Sequence, residues 1–106
     1  MTATLFLRSL KCLEPATGAG DDIEVFADGD SVEPQFNIDQ GQAHRFPSGK
    51  TFEFDESTLI TFTEDTDPAP EGDTTVTEDM AGSVKKIDVQ IKQDGRYELF
   101  VKVKKI

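Results

Sequence analysis

A chain of 106 residues, 36% of them hydrophobic and 30% charged, has room for one domain around one core, spanning 1–106. No apolar run approaches the roughly 20 residues that cross a bilayer as a helix. Cys12 and His44 are each alone of their kind, which excludes a disulfide scaffold and a structural zinc site. The formal charge of −10 is unevenly spread: residues 14–79 carry 18 acids against two bases, whereas residues 81–106 carry seven bases against three acids. A nucleic-acid binder presents a net basic face, so nucleic acid is set aside as a partner.

Thr2 to Cys12 is rich in β-formers, but its apolar positions change parity between Leu7 and Leu10, which predicts a bulge. Ile23 to Ala27 predicts a short strand ending in a turn at Asp28-Gly29, with Val32 beyond it. Weaker strand patterns occupy 35–38 and 43–46. Thr51 to Asp55 sets Phe52 and Phe54 on one face, and Thr58 to Thr63 carries Leu59, Ile60 and Phe62. The strongest pattern closes the chain. Ile87, Val89 and Ile91 alternate with polar residues, as do Tyr97, Leu99, Val101 and Val103. Asp94-Gly95 between the two runs predicts a tight turn with its glycine at positive φ.

Period two throughout, with no amphipathic helix, predicts an all-β fold of seven or eight short strands, an antiparallel sandwich or a small barrel. The phenylalanines belong mostly to its core, and Phe100 has the outward parity of its strand, beside Glu98 and Lys102. Cys12 reads as a buried small hydrophobe and His44 as a solvent-facing side chain. Neither has a neighbour that would make a nucleophile–base pair, so the chain reads as non-catalytic.

Two stretches fall outside this pattern, residues 14–22 and 64–79, both rich in acids, Pro, Gly and Thr. Loops of that length are usually functional or disordered. Glu64, Asp65, Asp67, Glu71 and Asp73 stand within ten residues and repel one another unless a cation lies among them. Calcium suits such a place because it accepts six to eight oxygens in forgiving geometry. The loop is not an EF-hand: counted from Asp65, Pro70 and Val76 fall where that motif needs Gly and Glu. The candidate ligands are Asp22, Asp65 and Asp67 first, then Asp21, Asp73 and Asp79.

The same residues carry a resemblance. Leu10-Lys11-Cys12-Leu13, an acidic Gly-containing loop and Asp22-Ile23-Glu24-Val25-Phe26 resemble the first calcium loop of C2 domains, the calcium- and phospholipid-binding β-sandwiches. Thr61-Phe62-Thr63-Glu64-Asp65-Thr66-Asp67 resembles their third loop, with Asp73 or Asp79-Met80-Ala81-Gly82 completing it. The resemblance spans most of the chain and implies an all-β, antiparallel Greek-key β-sandwich of about eight strands, calcium held between the two loops and, through the ion, contact with membrane lipid. The loop tips here, Ala19, Ala69 and Pro70, lack the apolar bulk that enters membranes.

The reading is a non-catalytic calcium-binding interaction module that docks a protein partner. Self-association of the basic final hairpin with the acidic loops of a second copy is one form of that docking. The alternative is an ion-free structural or assembly subunit that uses sheet edges and segregated charge. With no signal peptide in the first thirteen residues and one free thiol, the expected compartment is the cytoplasm, with export by a leaderless route left open.

Overall fold

The computed structural model describes residues 2–18, 20–64 and 71–106. Ten strands follow in chain order: β1 (Thr2–Glu14), β2 (Asp21–Ala27), β3 (Asp30–Ser31), β4 (Phe36–Ile38), β5 (Ala43–Arg45), β6 (Thr51–Asp55), β7 (Ser57–Glu64), β8 (Gly72–Thr77), β9 (Lys85–Ile91) and β10 (Gly95–Lys105). One sheet runs β5-β1-β10-β9, with β6 also paired to β1; the other runs β3-β2-β7-β8, with β4 also paired to β2. Every pairing between these strands is antiparallel. The expected all-β sandwich is therefore present. Ten strands instead of about eight arise because β3 is a two-residue extension of a turn and because β5 and β6 divide one edge.

Alternation places the core. Leu5, Leu10, Ile23, Val25, Ile60, Phe62, Leu99 and Val101 have no exposed surface, and all lie on the inward parity of their strands. Each such side chain contributes about 1.5–3 kcal/mol by leaving water. The expected bulge in β1 is real: its register against β10 slips between Leu7 and Ser9, which returns Leu10 and Cys12 to the interior. The Asp28-Gly29 turn also forms, with φ of 48° and 88° at its two residues.

Two expectations are corrected. The segment 64–79 is not one loop, because β8 lies within it and a 3-10 turn, Glu78–Met80, follows. Val76 is the only fully buried side chain of β8, so the strand's apolar signal is a single residue. In the final hairpin the positive φ belongs to Lys92 (56°), and Gly95 is not among the residues with positive φ. Gly95 is needed for a different reason: a Cβ there would stand 2.4 Å from the Ile91 carbonyl oxygen and 3.2 Å from the Ala16 side chain.

Candidate functional site

The antiparallel registers decide which acids can meet. Asp21 pairs with Ile38, Ile23 with Glu64, and Cys12 with Tyr97, so the 15–20 loop and the ends of β4 and β7 share one end of the sandwich. The turn of the final hairpin, at Lys92–Asp94, closes the same end.

Asp21 starts β2 on its inward parity and is fully buried. Its carboxylate accepts the Ala16 amide at 2.7 Å, the Thr17 amide at 3.0 Å and the hydroxyl of Tyr97. Thr17 donates its hydroxyl to the Gly20 carbonyl, and the Gly20 amide returns to the Thr17 carbonyl at 3.3 Å. Residues 15–18 and Gly20 are thus folded back over a carboxylate whose acceptors are taken by the chain. Burial and the hydrogen bond to Asp21 push the Tyr97 phenol well above its ordinary range, so it stays protonated and keeps donating. Burial also pushes the neighbouring Cys12 thiol up, and the free cysteine is a neutral core group, as its apolar surroundings predicted.

Glu64, at the end of β7, is buried too, and its carboxylate meets the Lys92 ammonium at 2.5 Å. The Lys92 amide donates to the Glu71 carbonyl at 3.0 Å, and the Glu71 amide to the Phe62 carbonyl at 2.8 Å. A side-chain cation is therefore stationed at the acidic end, on the hairpin turn that packs beside it.

The other candidate ligands do not converge on this place. Asp22 has the outward parity of β2, and its carboxylate accepts the Asn37 side-chain amide at 3.0 Å. Asp73 is exposed on the outer face of β8, paired with Thr61, three residues short of the end of β7. Asp79 lies in the 3-10 turn at the opposite end, near the pairing of Thr77 with Ser57, and accepts the Thr77 hydroxyl. Asp79 is thereby removed as a partner of Asp21. Asp65 and Asp67 lie outside the described residues. Among the described residues no three His, Cys, Asp or Glu side chains group as metal ligands. A calcium ion needs several free carboxylate oxygens in one place; Asp21 has both of its oxygens engaged by donors of the chain, and Asp22, Asp73 and Asp79 point elsewhere, so the described residues alone bring together no such group.

Reading the sequence missed Tyr97 as the partner of Asp21. The signal was present: a lone tyrosine on the inward face of a strand needs an acceptor for its hydroxyl, and Asp21 has the same inward parity as Ile23 and Val25. His44 was also misplaced. Its ring stacks on Phe36 at 3.7 Å with an interplanar angle of 6°, its Nε2 meets the Glu33 carboxylate, and it is half-buried.

No family model matches the chain, and no curated protein matches it. Solved structures do. The chain is similar to one described as the structure of a C2 domain, with a TM-score of 0.56 and 10% identity over 99% of each chain. It is also similar to a C2 domain of plant extended synaptotagmin 1, with a TM-score of 0.53 and 10% identity over 99% of this chain and 95% of that one. The chain has a C2-like fold.

Proposed function

We propose that this domain is a non-catalytic interaction module whose acidic end is assembled by the chain itself, and that it docks a protein partner without an ion. The observation that carries the reading is the saturation of Asp21: three donors from two separated segments close the loop end, and Glu64 takes Lys92 as its cation. The C2-like fold supports a binding role, and the absence of a nucleophile–base pair around His44 and Cys12 among the described residues supports a non-catalytic one.

Calcium binding is the second reading, favoured by one observation. β2 begins beside the end of β7, where Ile23 pairs with Glu64, so Asp65 and Asp67 follow in the chain directly from the end that the 15–20 loop occupies. On that reading Asp22, Asp65 and Asp67 supply the ligands, and lipid contact follows through the ion. Thermal unfolding in millimolar calcium and in chelator separates the two. An unchanged melting temperature supports the ion-free module, and a rise abolished by Asp65→Asn with Asp67→Asn supports calcium.

A further inference from the structure

A cleft of about 510 Å³ crosses the outer face of the β5/β6-β1-β10-β9 sheet, far from the acidic end in chemical character. Its apolar walls include Phe6, Phe100 and Val84, and its cations are Arg8, Arg45 and Lys50. None of the residues that line it is acidic, in a chain where acids outnumber bases by 21 to 11.

The fold builds this cleft from an irregularity. β5 pairs with β1 over Ser9 to Lys11 and β6 over Thr2 to Phe6, so residues 47–50 leave the sheet edge between them. That departure falls beside the β1 bulge, where the Arg8 carbonyl accepts the Phe46 amide at 3.0 Å and the Arg8 side chain is exposed on the outer face. Bulges re-aim side chains, and this one sets Arg8 alongside Arg45, the neighbour of Ser9 across the strand pair. Phe6 stands opposite Lys102, and Phe100 opposite both Ser9 and Lys86. Both rings are half-buried in the cleft's walls.

The cations are unspent. Lys86 is paired with Glu98 at 3.0 Å and Lys92 with Glu64, whereas Arg8, Arg45 and Lys50 make no ion pair among the described residues. Guanidinium groups offer forked donors suited to carboxylates. We infer that the cleft is the docking site of the interaction module, and that it takes an extended acidic segment of a partner protein, carboxylates on Arg8, Arg45 and Lys50 and apolar side chains between Phe6 and Phe100. The inference rests on the reading of the domain as an interaction module and adds where and what it binds.

Shape and charge favour a chain segment over a bilayer. The aromatic rings are half-buried in a cleft, which suits a narrow chain segment better than a planar surface. An anionic membrane would also face the net charge of −10 over a wide area, whereas a short segment feels chiefly what lies within a Debye length of about 8 Å.

Amide chemical shifts of the intact labelled chain test the inference during titration with a blocked peptide alternating Glu with Phe and Leu. The expected result is saturable shifts at Phe6–Ser9, Arg45–Lys50 and Phe100. Affinity falls about tenfold in Arg45→Glu and in Lys50→Glu, stays unchanged in the off-cleft control Arg96→Glu, and is absent for the same peptide with Lys in place of Glu. These exposed substitutions leave the core intact, and the spectra report folding directly. The inference is overturned if the acidic peptide moves no cleft amide, if it binds Arg45→Glu as well as the parent, or if inorganic phosphate reproduces its affinity. Shifts produced by phosphatidylcholine–phosphatidylserine vesicles but not by the peptide also overturn it and assign a lipid surface. Peptide shifts confined to the 14–21 and 64–71 segments overturn the cleft while leaving an interaction module in place.

Discussion

At the end of the sandwich that carries the 15–20 loop, one fully buried carboxylate, Asp21, gathers three donors, and a second, Glu64, takes an ammonium. At the opposite end the acids are spread over turns. Asp28 accepts the Leu59 amide at 3.0 Å, Glu78 the Glu56 amide at 2.8 Å, and Asp79 a hydroxyl two residues away. There Asp28 and Glu56 take positive φ, and the carboxylates of Asp28 itself and of Glu78 hold the two turns in shape. Both ends are acidic, yet the composition says nothing about which one is a hub. What separates them is burial: a carboxylate removed from water must have its acceptors filled by the chain, whereas an exposed one can exchange each partner for water at little cost.

That difference ranks the effects of substitution. Asp21→Ala leaves two half-buried amides and a buried phenol without their acceptor, and about 2–4 kcal/mol of unfolding free energy is lost, read by urea denaturation. Asp21→Asn, which keeps an acceptor, recovers part of it. Tyr97→Phe removes one donor to a buried charge and costs about 2 kcal/mol. It also changes the pH profile. The folded chain holds the Tyr97 and Cys12 protons more tightly than the unfolded chain, whose groups release theirs near 10.0 and 9.0. Unfolding therefore sheds protons above pH 9, and stability falls as pH rises from there, being fully present below it. Tyr97→Phe flattens that fall, which chemical denaturation at pH 8 and above measures.

Lys92→Gln leaves the buried Glu64 without its ammonium. Because the lysine is partly exposed, the loss is about 1–2 kcal/mol and shrinks in high salt. Asp28→Ala, at the exposed end, costs about 0.5–1 kcal/mol by the same denaturation measurement. Asp73→Asn and Asp79→Asn fall within about 0.5 kcal/mol of the parent. A loss of several kcal/mol at Asp79, or none at Asp21, would erase the contrast between the two ends.

The fold was legible wherever apolar residues alternate. The last hairpin, the β1 bulge and the Asp28-Gly29 turn follow from parity and turn chemistry, both of which act between near neighbours in the chain. β8 was not, because Thr74, Thr75 and Thr77 satisfy a strand without an apolar stripe and Val76 alone marks its inner face. The site was harder to read for a different reason. Asp21 and Tyr97 are 76 residues apart, and only the register of β1 on β10 brings the hydroxyl to the carboxylate. A cluster of acids in sequence was the more visible feature, but once the strands are paired Asp22 and Asp73 stand on the outer face of their sheet, on strands separated by β7, away from the inward Asp21, and Asp79 lies at the opposite end. The basic cleft was partly foreshadowed by the outward parity of Phe100. Its other half, Arg8 and residues 45–50, depends on how two short edge strands divide β1 between them.

The central claim is that the chain closes its own acidic end, with the Ala16 and Thr17 amides and the Tyr97 hydroxyl donating to Asp21 and Lys92 serving as the cation of Glu64. Calorimetric melting of the intact chain in chelator and in millimolar calcium tests it most directly. A resident ion site at a hundredfold excess over its dissociation constant adds about 2.7 kcal/mol, a shift of roughly 10–20 °C for a domain of this size. The account predicts the same melting temperature in both buffers, and a calcium-dependent rise of that order would contradict it.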